Sequence, residues 1–291
     1  MEYQITNGSI TAKFSQIGGE LISLKVGETE YLYQGDTPFW AGRAPLMFPI
    51  CGRLYENKYT YKGNTYEMNL HGFVRKLPLE VASQSADSIT FVYKSNADSK
   101  KIYPFDFEYF IAYSLCGQTL TVKLTALNHS QDDLPVAFGG HPGFRVPIED
   151  KGDFTDCYVE FETPSPAMRI DFSPACFLTG NDKLYSDENL QTIPLAHNLF
   201  DRDAIFLYNT PKTIRLKSKL TPTAIRLDFN DFKYIGLWHA PKTEAPFVCI
   251  EPWTSCPSFD GKIDDFANKK YMQYIKNGDT RTVSFDITIE N

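Results

Sequence analysis

Two histidines and one glutamate stand in short polar segments that interrupt strand-like sequence, and these residue types can form an acid/base pair. The ionisable residues and their segments are His71 in residues 69–73, His141 in residues 139–143 and Glu251 in residues 249–253. Glycine or proline adjoins each of them, which fixes the backbone and lets a ligand approach closely. Aromatic residues in or beside the segments offer flat apolar faces on which sugars stack: Phe73, Phe144 and Trp253. The pattern predicts a binding cleft, with carbohydrate as the ligand class.

The composition is that of a globular protein without a nucleic-acid or membrane partner. With 291 residues, 42% of them hydrophobic, the chain can bury a large core, and we expect a single domain over residues 1–291. A net charge of -7 and the lack of a basic stripe argue against phosphate-backbone binding. Residues 1–14 lack the pattern of a signal peptide, and no run approaches the roughly 20 apolar residues of a membrane span. We therefore expect a cytoplasmic protein, and the sequence leaves its oligomeric state open.

Six cysteines are scattered without a Cys-x-x-Cys pair or regular spacing: Cys51, Cys116, Cys157, Cys176, Cys249 and Cys256. In a chain without an export signal such residues are typically reduced, small and buried. Zinc sites in sequences are marked by clustered ligands, and His71 and His141 lie far from any such cluster. The sequence predicts neither a metal nor another cofactor.

Alternation of polar and apolar residues predicts an all-β fold. Residues 120–126 and 283–289 alternate strictly, and turn residues at 62–64 and 116–118 separate further strand pairs into hairpins. Other predicted strands cover residues 10–14, 88–93, 157–162, 204–207, 213–217, 224–229, 234–238 and 247–250. Strands at this spacing are typical of a large antiparallel sandwich or barrel.

Helix signals are few. The best one covers residues 262–275, where Ile263, Phe266, Ala267 and Tyr271 fall at helical spacing. The Asn277-Gly278 pair could end such a helix.

Six motifs, in this order, resemble the aldose 1-epimerase (galactose mutarotase-like) family over essentially the whole chain. They are Phe48-Pro49 with Gly52-Arg53, His71-Gly72-Phe73, Gly140-His141-Pro142, Phe200-Asp201-Arg202-Asp203-Ala204, Gly236-Leu237-Trp238 and Ile250-Glu251-Pro252-Trp253. Each motif alone occurs by chance, whereas the ordered set is specific. The resemblance implies a β-supersandwich whose open face binds a monosaccharide and interconverts its α and β anomers without a cofactor.

The resemblance also implies roles for individual residues. His141 matches the family's general acid and Glu251 its general base, while Arg53, His71 and Asp203 match positions that hold sugar hydroxyls. Asp201 lies two residues from Asp203 and is an alternative for its position. The segment at Arg53 reads Cys51-Gly52-Arg53 instead of the Asn-Arg pair of close galactose mutarotases. Trp238 is a further candidate for sugar contact, although a tryptophan in a strand also suits a core.

The chemistry of anomer exchange requires such a pair. Opening a hemiacetal removes the proton of the anomeric hydroxyl and donates one to the ring oxygen, so an acid and a base must act on neighbouring oxygens. A carboxylate at Glu251, ionised at pH 7, suits the first task, and a histidinium at His141 suits the second. We expect the two side chains to face each other across an open cleft, about the width of a pyranose acetal apart.

Three functions are compatible with these residues. The leading one is a mutarotase for a free aldohexose. The second is a hexose-6-phosphate epimerase, because Arg43 and Arg75 resemble cation positions of the phosphosugar branch and arginine suits phosphate. The alternative for both arginines is pairing with acidic neighbours such as Glu56 or Glu80. The third is a sugar-binding protein without turnover.

The same residues also have purely structural interpretations. Glu251 could be a solvated turn residue, and His71 and His141 could be structural histidines. His129 and His197 look like exposed loop residues. His239, beside Trp238, could line the cleft or end a strand.

Overall fold

The computed structural model describes residues 1–186 and 189–290, and 48% of the chain lies in strands against 7% in helices. The all-β prediction is therefore confirmed. The assignment of residues 1–291 to one domain stays a prediction.

The described residues form 26 strands and six short helices. Strands of the first half are β1 (Glu2–Thr6), β2 (Thr11–Ser15), β3 (Leu21–Val26), β4 (Thr29–Glu30), β5 (Leu46–Met47), β6 (Lys58–Tyr61), β7 (Asn64–Glu67), β8 (Glu80–Gln84), β9 (Ser88–Lys94), β10 (Phe107–Cys116), β11 (Thr119–Asn128), β12 (Leu134–Val136) and β13 (Gly139–Gly140). Those of the second half are β14 (Gly143–Arg145), β15 (Cys157–Ser165), β16 (Met168–Arg169), β17 (Lys183–Leu184), β18 (Leu190–Pro194), β19 (Ile205–Tyr208), β20 (Thr213–Ser218), β21 (Ala224–Asp228), β22 (Tyr234–Trp238), β23 (Phe247–Trp253), β24 (Asp264–Asp265), β25 (Gln273–Ile275) and β26 (Thr280–Glu290).

The helices are single turns. They are the α-helical turn α1 (Ser99–Ile102) and the 3-10 turns Tyr55–Asn57, Val74–Lys76, Ile148–Asp150, Phe154–Asp156 and His197–Phe200. Within residues 1–186 and 189–290, none of the helices has the length and apolar character that a membrane crossing requires.

Two large sheets dominate the architecture. The nine-stranded sheet has the order β18-β15-β20-β21-β26-β11-β10-β9-β8, and the eight-stranded sheet has the order β17-β16-β19-β22-β23-β13-β5 with β14 also paired to β23. Smaller sheets contain β1 to β4, β12 with β25, and β24-β6-β7. The described strand pairs are antiparallel except β24 with β6.

The predicted alternation sets the register of the nine-stranded sheet. In β26 the side chains of Val283, Phe285, Ile287 and Ile289 are buried while their neighbours are not, as expected for strands with one face on the core. Hairpins at 62–63 and 117–118 join β6 to β7 and β10 to β11, so both predicted turns are confirmed.

The eight-stranded sheet packs one face against the nine-stranded sheet. Phe48, just after β5, stacks on Tyr109 of β10 with ring centroids 4.1 Å apart, and Gly140 of β13 lies against the ring of Phe285 in β26. Along β23 every residue is buried. Val248 and Ile250 join the main core, so the alternate residues of β23 face the other side of the sheet. The candidate site lies on that side.

The helix predicted over residues 262–275 is wrong. The segment contains β24 and β25, and Tyr271 has a φ of +70°, which a helix does not allow. Its apolar residues do not share one buried face: Phe266 stacks on Tyr59 at 3.6 Å, whereas Ile263 is 39% exposed. The backbone N–H of Phe266 donates to the carbonyl of Thr60, so pairing with β6 replaces helical hydrogen bonds.

Candidate active site

A cavity of about 350 Å³ opens on the outer face of the eight-stranded sheet. This volume is within the usual range for small-molecule sites. Seven of the eight residues predicted to form a site line it: Arg53, His71, Arg75, His141, Asp203, Trp238 and Glu251. Arg43 does not.

Strands β22 and β23 supply the floor of the cavity. Glu251 lies opposite Gly236, and Trp238 lies opposite Cys249. A methyl group on Gly236 would lie 2.4 Å from the ring of Phe206, which comes from β19 and lines the cavity. Glycine at 236 therefore lets an aromatic ring pack beside the glutamate.

His141 and Glu251 form the buried centre of the site. Nε2 of His141 lies 3.2 Å from Oε1 of Glu251, and the side chains are 10% and 2% exposed. Burial raises the pKa of Glu251 well above its usual value, and the charge of Asp203 raises it further. Burial lowers the pKa of His141 to about 3. The two groups thus favour a state in which they share one proton and carry no net charge.

Two expectations about this pair are wrong. The side chains are in direct contact instead of being separated by the width of an acetal, because both project from the floor of the same cavity. We also expected Glu251 to be ionised at pH 7 and His141 to titrate near neutrality. Burial opposes both, because it penalises the carboxylate of Glu251 and the imidazolium of His141. A pair in contact still suits the chemistry, since both acetal oxygens are bonded to one carbon.

His71 enters the cavity from a strained turn. Its φ is +63°, and its Nδ1 accepts a hydrogen bond from the backbone N–H of Gly52 at 3.1 Å. Burial lowers the pKa of His71 well below 6.5, and the nearby His141 lowers it further. The ring is therefore neutral near pH 7. Because Nδ1 is an acceptor, the proton of the neutral ring is on Nε2 and can be donated to a ligand.

Gly72 makes this turn possible. Its φ is +77°, and a methyl group there would lie 2.0 Å from the carbonyl oxygen of Phe48. Only glycine fits.

Two tryptophans form an aromatic wall next to the acid/base pair. Trp40 lies with its ring centroid 4.9 Å from that of His141, and Trp238 approaches the same imidazole edge-on at 5.5 Å. Both tryptophans line the cavity and are partly exposed. A sugar could stack its C–H face on such a wall.

Asp203, and not Asp201, lies in the cavity. Asp203 has a φ of +78° and lines the site, whereas Asp201 is exposed and outside the lining. Its Oδ2 accepts a hydrogen bond from the thiol of Cys176 at 2.9 Å, and its Oδ1 accepts one from the backbone N–H of Ala204. Cys176 has a φ of +62°, so two residues in unfavourable backbone conformations meet at this contact.

Three arginines line the cavity: Arg53, Arg75 and Arg202. In the described part of the chain none of them forms an ion pair, and Nε of Arg75 is buried without a hydrogen-bond partner. Arg53 donates from Nη1 to the carbonyl of Ala175 at 3.2 Å. The pairing of Arg75 with Glu80 is thus not observed, and Glu56 pairs with Lys58 instead.

Arg43 lies outside the cavity. Its backbone N–H donates to Oε1 of Glu20 at 2.9 Å, and its Cζ would contact a methyl group on Gly35 at 3.4 Å. The same Glu20 is the acidic neighbour that acts on Arg75. Arg43 and Arg75 are thus both neighbours of Glu20, but of the two only Arg75 lines the cavity.

The remaining histidines lie away from the cavity. His197 is only partly exposed, contrary to prediction, because its ring stacks on Phe154 at 4.0 Å. Its Nδ1 lies 3.2 Å from Nε2 of the fully buried His239, so His239 packs inside the fold instead of lining the cleft. His129 is exposed, as predicted.

Sequence reasoning missed several lining residues. Trp40, Cys176, Arg202 and Phe206 reach the cavity from loops or a neighbouring strand. Two of them could have been found from the sequence: Arg202 lies within a family motif, and Trp40 stands three residues before Arg43. Cys176 carries no local signal. All six cysteines are free, as predicted, although Cys116 is exposed and Cys176 is partly exposed.

The chain resembles known proteins over its full length. The family model described as aldose 1-epimerase matches residues 1–271. The chromosomal protein LacX of Lactococcus lactis subsp. lactis is 30% identical over 300 residues, which cover 100% of both chains. A galactose mutarotase related enzyme from Lactobacillus acidophilus has a TM-score of 0.93 and 31% identity, covering 100% of this chain and 98% of its own. A galactose mutarotase-like protein from Lactobacillus casei ATCC 334 has a TM-score of 0.93 and 29% identity, covering 100% of both. The chain belongs to the aldose 1-epimerase family.

Proposed function

We propose that this protein interconverts the α and β anomers of a hexose by acid/base opening and closing of the ring. The observation that carries the proposal is the 3.2 Å contact of His141 with Glu251 on the floor of a cavity of about 350 Å³. Both side chains reach the same small volume, so they can act on two oxygens of one carbon. The family to which the chain belongs supports the assignment.

Ring opening is one coordinated proton transfer. The carboxylate of Glu251 accepts the proton of the anomeric hydroxyl, the bond from C1 to the ring oxygen breaks, and the imidazolium of His141 donates its proton to that oxygen. The required ion pair differs from the neutral pair by one proton moved across the 3.2 Å contact. Burial penalises the two charges, but the pair has no net charge in either form.

Ring closure reverses these roles. The product of opening is the open-chain aldehyde, which rotates about C1–C2 and presents its other face to the hydroxyl. His141 then takes the proton back as the ring closes, and Glu251 returns its proton to the new anomeric oxygen. Each positioned group contributes roughly 10²–10⁴-fold in rate.

Other residues hold the sugar in this proposal. Nε2 of neutral His71 donates to a hydroxyl, Asp203 accepts from another, Arg53 donates to oxygens, and Trp238 with Trp40 supports the ring. Cofactor independence and a cytoplasmic location also belong to the proposal and depend on the sequence interpretation alone.

Anomer exchange measured by NMR tests the function. Magnetisation transfer between the α and β signals is followed for glucose, galactose and their 6-phosphates, with and without protein. The proposal requires enhanced exchange of at least one sugar. Binding without enhanced exchange would identify a sugar-binding protein and overturn the enzymatic proposal.

A phosphorylated hexose is the second candidate substrate. Arg53, Arg75 and Arg202 line the cavity without ion pairs among the described residues, although Glu20 acts on Arg75 from nearby, and guanidinium groups suit a phosphate anion. If this is the substrate, millimolar inorganic phosphate inhibits exchange, and Arg75→Gln weakens that inhibition. Good turnover of free hexose with no phosphate inhibition would exclude it.

A further inference from the structure

Cys249 lies beside the acid/base pair, although no ligand spacing in the sequence marks a site there. Residues 249 and 251 share one face of β23 because side chains two positions apart on a strand point the same way. One ligand atom from each of His141, Cys249 and Glu251 lies within 4.8 Å of the other two. We propose that these three side chains form a binding site for a borderline-soft divalent cation, zinc in particular, and that the bound ion excludes the sugar.

The ligand set fits zinc. Imidazole nitrogen, thiolate sulfur and carboxylate oxygen are its usual protein ligands, and three of them with one open position are typical of accessible zinc sites. Tetrahedral bonds of the usual lengths place ligand atoms about 3.3–3.6 Å apart. The His141–Glu251 separation of 3.2 Å is already close to this range. The Cys249 sulfur lies within 4.8 Å of both other ligand atoms and needs to approach them by about 1 Å.

Charge balance also favours zinc at this place. All three side chains are buried, so a site with a net charge would be costly. Thiolate and carboxylate together carry two negative charges, and neutral imidazole adds none, so a divalent ion leaves no net charge. Binding releases two protons: one from the thiol and the one shared by His141 and Glu251. Thiolate ligation selects against magnesium and calcium, which prefer oxygen ligands.

The open coordination position faces the cavity. His141 and Glu251 line the cavity, whereas Cys249 packs behind them in the aromatic cluster with Tyr33 and Phe247. An ion can therefore enter along the path that a sugar takes. Because ion and sugar need the same two side chains, only one of them binds at a time. The exclusion of sugar rests on the proposed function, but ion binding itself does not.

Cobalt provides a direct readout of thiolate ligation. Co²⁺ substitutes for zinc in such sites, and a Cys–Co²⁺ bond gives an intense near-ultraviolet charge-transfer absorption. The experiment titrates Co²⁺ into a Cys116→Ser protein, in which the exposed thiol is removed, and then displaces it with Zn²⁺. We expect the charge-transfer absorption to appear at one Co²⁺ per chain, to strengthen as pH rises, and to disappear on Zn²⁺ addition.

Variants decide which thiol is the ligand. Adding Cys249→Ser should abolish the absorption and weaken Zn²⁺ binding by more than about tenfold, while Cys157→Ser, a buried thiol elsewhere, should change neither. Glu251→Gln, which keeps the volume, should weaken Zn²⁺ binding as well, and circular dichroism checks the fold of each variant. No charge-transfer absorption, or one that persists in Cys249→Ser, would overturn the proposal. If Co²⁺ binds as expected but no sugar shows anomer exchange, the metal site stands and the proposed function fails.

Discussion

At the scale of single residues, the environment of His141 and Glu251 determines what they can do. Each group resists ionisation in this cavity, because burial raises the pKa of Glu251 and lowers the pKa of His141. Their contact allows one proton to move between them without creating net charge. The same side chains in separate pockets would not form a usable acid/base pair.

Cys176 donates a hydrogen bond to one of the two carboxylate oxygens of Asp203. Burial raises the pKa of the Cys176 thiol to about 11, so it is protonated near pH 7 and can donate to Oδ2 of Asp203. We predict that Cys176→Ala raises KM for the sugar by about two- to tenfold, since a net hydrogen bond contributes about 0.5–1.5 kcal/mol. kcat should change less. Steady-state exchange rates as a function of sugar concentration provide the measurement.

The conservative variant separates orientation from packing. Cys176→Ser keeps a donor at the same position and should restore KM to near the wild-type value. A serine variant as impaired as the alanine variant would show that the hydrogen bond to Asp203 is unimportant.

At the scale of elements, the turn that carries His71 depends on Gly72. Gly72 and Gly63 have nearly the same φ, +77° and +79°, but only Gly72 is crowded. Gly63→Ala should cost about 1–2 kcal/mol of unfolding free energy, the usual cost of a left-handed residue. Gly72→Ala adds the clash with Phe48 and should cost several kcal/mol more, because the methyl group would overlap a carbonyl oxygen. Urea unfolding of both variants measures the difference, and equal losses would refute this role of the clash.

Lys269 holds the loop that closes one side of the cavity. Its Nζ, on a side chain that is 3% exposed, lies 3.2 Å from Oδ2 of Asp264 and donates to the carbonyls of Cys256 and Pro257. Pro257 lines the cavity. We predict that Lys269→Met lowers the unfolding free energy by about 3–5 kcal/mol, because Asp264 is left buried without its partner.

The neighbouring lysine is the matched control. Lys270 is exposed and its ammonium lies 4.8 Å from the ring centroid of Tyr271, so Lys270→Met should change the unfolding free energy by no more than about 1 kcal/mol. A similar small effect for Lys269→Met would mean that the buried ammonium does not stabilise this loop.

At the scale of the whole molecule, buried histidines make stability depend on pH. Burial lowers the pKa of His239 below 6.5, and the adjacent His197 lowers it further, although the Ala240 carbonyl and Asp201 oppose the shift. Below pH 6.5 the unfolded chain therefore binds a proton that folded His239 does not, so folded stability falls as pH falls. The slope from one such group is at most about 1.4 kcal/mol per pH unit.

Replacing this histidine should reduce the slope. His239→Asn keeps a donor for the Ala240 carbonyl, which Nδ1 of His239 contacts at 2.7 Å, but it cannot titrate. We predict a smaller decrease of unfolding free energy between pH 7 and pH 5 than in the wild type, measured by chemical unfolding at each pH. An unchanged slope would show that His239 is not a source of the pH dependence.

The regular part of the fold could be predicted from the sequence, because alternation depends on local burial. The predicted strand at 234–238 has the bounds of β22, and both hairpins lie at their predicted turns. The helix at 262–275 failed because its apolar residues contact different partners, such as Tyr59 for Phe266. Spacing along the chain cannot distinguish one shared face from several separate contacts.

The residues of the candidate site could be predicted from the sequence, but the contacts between them could not. Motif order identified His71, His141 and Glu251, and all three line one cavity. The contact of His141 with Glu251 depends on the packing of the segment after β13 beside β23, which involves residues more than a hundred positions apart. Cys176 reaches Asp203 through a loop, and the position of Arg43 depends on Glu20. Such long-range packing leaves no pattern in a single sequence.

The most direct test of the account is anomer exchange by the Glu251→Gln variant. The amide keeps the volume and hydrogen-bonding capacity of Glu251 but cannot accept the anomeric proton, so exchange should fall by roughly 10²–10⁴-fold while sugar binding measured by calorimetry persists. Glu80→Gln, at an exposed position on β8, is the control and should exchange at the wild-type rate. Near-normal exchange by Glu251→Gln would contradict the central claim that His141 and Glu251 act as the acid/base pair.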